Sequence, residues 1–110
     1  MTVELPAVIH RYHEAHDRRD TDTALATFTP DARVEDDGRT YVGTDEVRGW
    51  LSTAAAEFTY TRTPLDATDE GDGRWLTTSH LEGDFPGGVV DLRYRFRIVD
   101  DRIAELVIAP

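Results

Sequence analysis

The chain has 110 residues, of which 22 are acidic and 12 are basic, so its formal net charge is −10. This length predicts one domain, residues 1–110, with a single modest core. The negative charge argues against nucleic acid and anionic membranes as partners. The absence of cysteine and lysine excludes thiol nucleophiles, thiolate metal sites and Schiff-base lysines.

The first six residues, Met-Thr-Val-Glu-Leu-Pro, contain neither the basic nor the apolar region of a secretion signal. No window of the sequence reaches the roughly 20 apolar residues of a membrane span. We therefore expect a soluble, cytoplasmic protein that does not interact with membranes.

Two helices are predicted before residue 30. The first runs from Pro6 to about Arg19, and a second, short helix begins after a cap at Asp20 or Thr21 and ends before Pro30. In both helices the apolar residues recur at steps of three and four, which defines an inward stripe. The first stripe consists of Leu5, Val8, Ile9, Tyr12 and His16, and the second of Ala24, Leu25 and Phe28.

Residues 31–43 predict a short β-hairpin. Asp37-Gly38 favours a two-residue turn, and β-branched and aromatic residues flank it. Because side chains alternate along a strand, Val34 and Asp36 share one face. Asp36 therefore either reaches water at the end of the hairpin or enters a pocket lined by that face.

A third helix is predicted after the hairpin, capped by Thr44 and carrying two acids in its first turn. Its inward stripe consists of Val47, Trp50, Leu51, Ala54, Ala55 and Phe58. After Phe58 the period of the apolar residues changes from 3.6 to 2, which marks the start of a sheet.

The remaining sequence predicts about four strands of an antiparallel meander, because turn-forming clusters occur at residues 69–73, 86–88 and 100–101. In the third of these strands, Tyr94 lies on an apolar face and Asp91 with three arginines lies on the other. In the strand from Arg74 to Phe85 neither face is decisively apolar, so the direction of His80 stays open. The order α-α-β-β-α-β-β-β-β predicts an α+β domain in which three helices cover a cone-shaped, curved antiparallel sheet of about six strands.

Four segments, together with this element order, resemble the superfamily of ketosteroid isomerases, nuclear transport factor 2 and SnoaL-like polyketide cyclases. They are residues 8–12 (VIHRY), 28–36 (FTPDARVED), 41–45 (YVGTD) and 101–105 (DRIAE). The resemblance covers nearly the whole chain and implies the cone-shaped fold. The resemblance does not indicate which activity to expect, because isomerases, cyclases, dehydratases, epoxide hydrolases and nonenzymatic binders share this scaffold.

The resemblance also implies roles for single residues. Tyr12 falls at the oxyanion-hole tyrosine of the ketosteroid isomerases, and Asp36 falls at the base that moves the proton. Their third polar group, a carboxylic acid, falls at Arg93 or Tyr94, with Asp91 close but out of register. The isomerase triad is therefore incomplete, which favours a relative with different polar groups in the pocket.

Both leading candidates have a structural alternative. Asp36 as a general base requires an apolar pocket that raises its pKa, which Phe28 and Trp50 could help to form, whereas a solvated carboxylate would be ordinary surface. Tyr12 is either a hydrogen-bond donor to a developing oxyanion or a core tyrosine.

The histidines indicate no metal site. His10, His13 and His16 step by three along the first helix, a spacing that drifts around the helix and suits metal ligation poorly. His16 lies on the apolar stripe one turn after Tyr12 and could line the pocket. His80 is a second acid/base candidate if it points inward.

We therefore predict a cofactor-independent, metal-independent enzyme of the SnoaL-like class that acts by proton transfer on a small hydrophobic, carbonyl-containing ligand, as an isomerase, cyclase or dehydratase. The alternative is a noncatalytic domain that uses the same cavity for ligand binding, or the sheet for dimerisation. The resemblance also implies a homodimer through the outer sheet face. The predicted catalytic residues are Asp36, Tyr12 and His80, and the predicted ligand-binding residues are His16, Phe28, Trp50, Phe58 and Tyr94.

Overall fold

The computed structural model describes residues 5–53 and 57–110, and its elements follow the predicted order. Three helices cover one face of a curved, unclosed six-stranded sheet, so the predicted fold class is confirmed. The helices are α1 (Ala7–Asp17), α2 (Thr21–Leu25) and α3 (Gly43–Ser52). The strands are β1 (Phe28–Asp36), β2 (Arg39–Val42), β3 (Tyr60–Gly71), β4 (Arg74–Gly83), β5 (Val89–Val99) and β6 (Arg102–Ala109).

The strand order across the sheet is β2-β1-β6-β5-β4-β3. Strands β3 to β6 form the predicted antiparallel meander. The sheet is mixed rather than wholly antiparallel, because β1 and β6 pair in parallel. The meander starts at the far edge and returns strand by strand, so its last strand arrives beside β1 running in the same direction.

The predicted hairpin is confirmed. Asp37 and Gly38 have φ angles of 52° and 75°, the left-handed values that a two-residue hairpin turn of this type requires. Asp36 and Arg39 pair directly across the turn. The turn therefore fixes Asp36 as the last residue of β1.

Several predicted boundaries of the helices are wrong. Helix α2 ends at Leu25, and Phe28 is the first residue of β1 rather than a helix residue, although its side chain is buried as expected. Helix α3 begins at Gly43 without a side-chain cap, because the Thr44 hydroxyl lies 3.5 Å from the carbonyl oxygen of Pro30. The Glu46 carboxylate instead accepts the backbone N–H of Val42 over 2.9 Å.

Helix α3 also ends earlier than predicted, at Ser52. Phe58 therefore follows the helix and is not part of its stripe. Ala54 and Ala55, which were assigned to the same stripe, lie outside the described residues.

The core fills the space between α1, α3 and the concave face of the sheet. The apolar stripe of α1 packs on residues that β1, β5 and β6 send to that face. Of the helices in residues 5–53 and 57–110, none is long and apolar enough to cross a membrane. Among the described residues, the largest side chains that are fully buried are Trp50, Tyr12, Phe96, Ile9, Ile103 and Leu106.

Candidate functional site

A cavity of about 840 Å³ opens at the end of the concave face where the β1–β2 hairpin, the segment after α3 and the ends of β4, β5 and β6 meet. Its wall is mostly apolar, with three tyrosines and a few charged side chains. The apolar lining includes Phe58, Leu81, Phe85, Val90, Leu92 and Ile108, and the polar lining includes Asp36, Asp37, Arg39, Tyr41, Glu57, Tyr60 and Tyr94.

Asp36 lies half-buried in this wall, on the same strand face as the fully buried Val34. The indole N–H of Trp50 donates a hydrogen bond to its Oδ2 atom over 3.0 Å. Burial raises the pKa of the Asp36 carboxyl, and the hydrogen bond from Trp50 opposes that shift. The result is a fixed carboxylate that faces a ligand-sized space and holds a proton more readily than an exposed aspartate.

Trp50 itself is almost completely buried, with 1% of its surface exposed, and it does not line the cavity. Its ring packs against Tyr41 and stacks nearly parallel to His16, with centroids 6.3 Å apart. Trp50 therefore positions Asp36 from behind the wall, whereas the sequence placed it in contact with the ligand.

Tyr12 is completely buried and also lies behind the wall. Its ring meets Phe28 and Phe96 edge-on, at centroid distances of 5.6 and 5.8 Å. Within residues 5–53 and 57–110 its hydroxyl has no hydrogen-bond partner. Burial raises the pKa of Tyr12 well above its usual value, and the neighbouring Tyr94 and Tyr60 add to the shift. Phe28, predicted to contact the ligand, is likewise a core residue.

His16 links these buried rings to the cavity. Its ring is half-buried and stacks on Tyr12 at 5.8 Å with an interplanar angle of 4°. Its Nδ1 atom lies 3.3 Å from the hydroxyl of Tyr60, which lines the cavity. His16 therefore reaches the site through Tyr60 and does not line the cavity itself.

Phe58 and Tyr94 line the cavity together with Asp36. The sequence did not single out Tyr60, which lines this wall together with the equally unpredicted Tyr41 and Phe85. A signal was present, because Tyr60 belongs to the β-type alternation that begins at Phe58. The structure shows this pattern as half-buried Tyr60 and Arg62 between exposed threonines.

His80, which was predicted to act as a second acid/base, does not line the cavity. Ser79 and Leu81 occupy the buried concave face of β4, so the strand period sends His80 to the outer face. There its Nδ1 atom lies 2.6 Å from the Asp91 carboxylate and its Nε2 atom 3.2 Å from that of Glu82. These two carboxylates raise the pKa of His80.

Among the residues of β5, none of the candidates for the third polar group of the isomerases is an acid that faces the cavity. Asp91 and Arg93 pair with His80 and Thr78 on the outer face, whereas Tyr94 points into the cavity. A tyrosine therefore occupies the wall of β5 facing the ligand space.

The other histidines of α1 do not join the cavity. His13 is buried, with its Nε2 atom 3.5 Å from the Thr77 hydroxyl, and burial lowers its pKa to about 3. His10 is exposed. In the part of the chain that the structure describes, no group of three His, Asp or Glu side chains is arranged so that it could hold a metal ion.

The curved sheet, its three covering helices and their order give this chain the nuclear transport factor 2-like fold. Residues 9–106 match the SnoaL-like domain, and the chain belongs to this family. It is similar to the Sinorhizobium meliloti protein SMa1630, a proposed polyketide cyclase: the two are 39% identical, the TM-score is 0.88, and the match covers 96% of this chain and 95% of that one.

More distant structures share the fold. A Catenulispora acidiphila protein with a ketosteroid isomerase-like fold, solved with trimethylamine, is 18% identical over 97% of this chain and 87% of its own, with a TM-score of 0.83. Mycobacterium tuberculosis RV0760c, solved with estradiol-17beta-hemisuccinate, is 16% identical over 94% of this chain and 91% of its own, with a TM-score of 0.78. Among curated proteins no match was found.

Proposed function

We propose that this protein is a small-molecule enzyme that transfers a proton within a hydrophobic, carbonyl-containing ligand bound in the cavity. The observation that supports this most strongly is the Asp36 carboxylate, which is half-buried, oriented by Trp50 and exposed to a mostly apolar space of about 840 Å³. A cavity of this size suits a ligand of a few fused rings or an equivalent chain.

In the proposed reaction, Asp36 removes a proton from the carbon next to the ligand carbonyl. The electron pair moves onto the carbonyl oxygen, which becomes an enolate and accepts a hydrogen bond from a tyrosine hydroxyl. Asp36 then returns the proton to the γ-carbon when the enolate is conjugated with a neighbouring double bond. Alternatively, the enolate attacks a second carbonyl of the ligand and Asp36 protonates the alkoxide that forms, or the enolate expels a β-hydroxyl group, which takes the proton from Asp36 and leaves as water. These outcomes correspond to isomerase, cyclase and dehydratase reactions.

The environment of Asp36 suits this role. Burial raises the pKa of its carboxyl, and a base whose pKa lies closer to the working pH abstracts carbon-bound protons more effectively. The apolar wall keeps water away from the developing negative charge, which strengthens each hydrogen bond to it. The relatives of this fold that were solved with trimethylamine and estradiol-17beta-hemisuccinate support a small-molecule ligand.

Deuterium exchange tests the proposal without knowledge of the natural substrate. The protein is incubated in deuterated water with carbonyl probes that have acidic α-protons, such as 2-tetralone and a β,γ-unsaturated 3-ketosteroid, and exchange is followed by proton NMR. We expect catalysed exchange that falls at least about 100-fold in Asp36→Asn. Glu35→Gln is the matched control, because Glu35 is the adjacent acid on β1 and pairs with Arg33.

Probes that bind without catalysed exchange would contradict the enzyme proposal and support the noncatalytic binding domain. Exchange that survives in Asp36→Asn would contradict the role of Asp36 while leaving the activity in place.

We also propose that the chain forms a homodimer through the outer sheet face. On that face Arg95 lies 3.1 Å from Glu70, and Arg93 and Arg95 border a recess of about 260 Å³ over Val107. A face that alternates charges in this way can complement a second copy of itself. Size-exclusion chromatography with light scattering should give the mass of a dimer for the wild-type protein and the mass of a monomer for Arg95→Glu. A monomeric wild-type protein would contradict the proposal.

A further inference from the structure

We propose that Tyr60 is the hydrogen-bond donor that binds the ligand carbonyl oxygen, that His16 positions its hydroxyl, and that Tyr12 only supports this pair by packing. The inference rests on the proposed ligand class and cavity, but it does not require proton transfer by Asp36. It differs from the role that the family resemblance assigns to Tyr12.

Tyr60 and Tyr12 differ in whether a ligand in the cavity can reach them. Tyr60 is half-buried and lines the same cavity as Asp36. Tyr12 has no exposed surface, and its ring is enclosed by Phe28, Phe96 and His16. A ligand therefore reaches Tyr60 directly, whereas it would have to displace core side chains to touch Tyr12.

The backbone around Tyr60 is fixed by close contacts with the end of β4. Tyr60 pairs with Gly83, where an added Cβ would collide with the carbonyl oxygen of Thr59 and lie 2.6 Å from the Cβ of Tyr60. Asp84 accepts the backbone N–H of Thr59 through its side chain over 2.8 Å and donates its own N–H to the Thr59 carbonyl over 3.1 Å. A donor held this firmly needs little rearrangement when the ligand acquires negative charge.

A positive charge lies over the Tyr60 ring. The Arg19 guanidinium is 5.0 Å from the ring centroid and donates hydrogen bonds to the carbonyl oxygens of Phe58 and His16 over 2.6 and 2.9 Å. Arg19 thereby connects the end of α1 to the segment that carries Tyr60. The positive charge of Arg19 stabilises negative charge on the Tyr60 oxygen and on a ligand oxygen that accepts a hydrogen bond from the Tyr60 hydroxyl.

The protonation state of Tyr60 fits a donor. Burial raises its pKa, and the hydrogen bond and charge of Arg19 limit that increase. The hydroxyl is therefore protonated at neutral pH. When His16 carries its proton on Nδ1, it donates to the Tyr60 oxygen across 3.3 Å and leaves the Tyr60 proton for the ligand.

Trp50 connects the proposed donor with the proposed base. Its indole N–H bonds to Asp36, and its ring stacks on His16, which contacts Tyr60. One buried ring thus orders both polar groups of the cavity. Tyr94 also lines the cavity, but its ring stacks on Phe96, and His13 meets it edge-on.

The test measures the carbonyl stretch of a bound probe, 2-acetylnaphthalene labelled with carbon-13 at the carbonyl, by infrared difference spectroscopy. A hydrogen bond to the carbonyl moves this band to lower frequency. We expect the band to be lowered in the wild type, to return toward its value in a non-bonding solvent in Tyr60→Phe, and to stay lowered in Tyr12→Phe. The Kd of the probe should increase about tenfold in Tyr60→Phe, as for the loss of one hydrogen bond.

His16 is tested in the same spectra. His16→Asn keeps a polar N–H near the position of Nδ1 and should retain much of the shift, whereas His16→Leu should lose part of it. A purely structural role of His16 would not distinguish these variants in this way. Circular dichroism of every variant reports whether it is folded.

The proposal is overturned if the band responds to Tyr12→Phe or Tyr94→Phe instead, if it is unshifted in the wild type, or if the probe does not bind. Failure of the proposed function is a separate result. Absence of deuterium exchange together with a Tyr60-dependent band would leave the donor assignment intact, and the reverse combination would refute only the donor assignment.

Discussion

The indole nitrogen of Trp50 lies 3.0 Å from Oδ2 of Asp36 and donates a hydrogen bond to it. This contact joins helix α3 to the last residue of β1, and the two-residue turn at Asp37-Gly38 holds the carboxylate at that point. Burial and hydrogen bonding act on Asp36 in opposite directions, since burial favours the neutral acid and the indole favours the carboxylate. The hydrogen bond from the indole therefore limits how far burial raises the pKa of Asp36.

Replacing the indole should make Asp36 more basic. In Trp50→Phe the carboxylate loses its donor but remains half-buried, so its pKa should rise above the wild-type value. Carbon-13 NMR of the Asp36 carboxyl measures this titration directly. The free energy of unfolding should fall by about 1–3 kcal/mol, because the substitution replaces a buried indole with a smaller ring. Trp75→Phe is the control, since Trp75 is half-buried and does not line the cavity, and an unchanged Asp36 pKa in Trp50→Phe would refute the role of the indole.

The buried His13 should make the protein sensitive to moderate acid. Burial, followed by the charge of Arg62, lowers the pKa of His13 from 6.5 to about 3. Between these values the unfolded chain binds a proton at this residue and the folded chain does not, so acid favours unfolding. The free energy of unfolding should fall by up to about 1.4 kcal/mol per pH unit from pH 6.5 toward pH 3.

Urea unfolding at several pH values isolates this contribution. His13→Gln should be less stable at neutral pH but should lose less stability on acidification. His10→Gln, an exposed change on the same helix, should keep the wild-type slope. Equal slopes in wild type and His13→Gln would mean that His13 is protonated in the folded state.

Removing the unpartnered hydroxyl of Tyr12 should stabilise the protein. In the described residues this hydroxyl is buried without a hydrogen-bond partner, which carries a desolvation penalty of about 1–3 kcal/mol. Tyr12→Phe deletes that one atom and leaves the ring contacts in place. Urea unfolding should show an increase of about 1 kcal/mol, and a decrease would indicate that the hydroxyl has a partner in the folded protein.

Two glycine-to-alanine substitutions should have opposite effects. In Gly83→Ala the new Cβ would collide with Thr59 and Tyr60, so we expect a loss of about 1–3 kcal/mol together with weaker binding of the carbonyl probe. Gly49 lies inside α3 with open space at its Cβ position, so Gly49→Ala should stabilise by about 0.5–1 kcal/mol. Thermal unfolding and probe titration measure both, and a fully stable Gly83→Ala variant would show that Tyr60 is not fixed by that contact.

The sequence predicted the features that depend on local pattern. The inward stripe of α1, the turn at Asp37-Gly38 and the alternation along β5 are each encoded within a few residues. The placement of Asp36 on the same face as Val34 followed from strand period alone. These patterns were enough to predict most of the element order and the position of Asp36 in the candidate site.

The rest depends on contacts between distant segments, which have no local signal. The direction of His80 was open because both faces of β4 contain polar residues, and only the pairing with β5 decides it. The hydrogen bond from Trp50 to Asp36 requires α3 to cross the end of the hairpin. The role proposed for Tyr60 depends on its close approach to Gly83, a residue 23 positions later.

The parallel pairing of β1 with β6 has a consequence for how the chain folds. Val34 gains its neighbour Leu106 only after the entire meander has been placed, and such long-range pairing slows folding. Until then one edge of β1 presents unpaired backbone groups to any other chain nearby. The interval between formation of the hairpin and arrival of the last strand is therefore the stage at which this protein is most prone to aggregate.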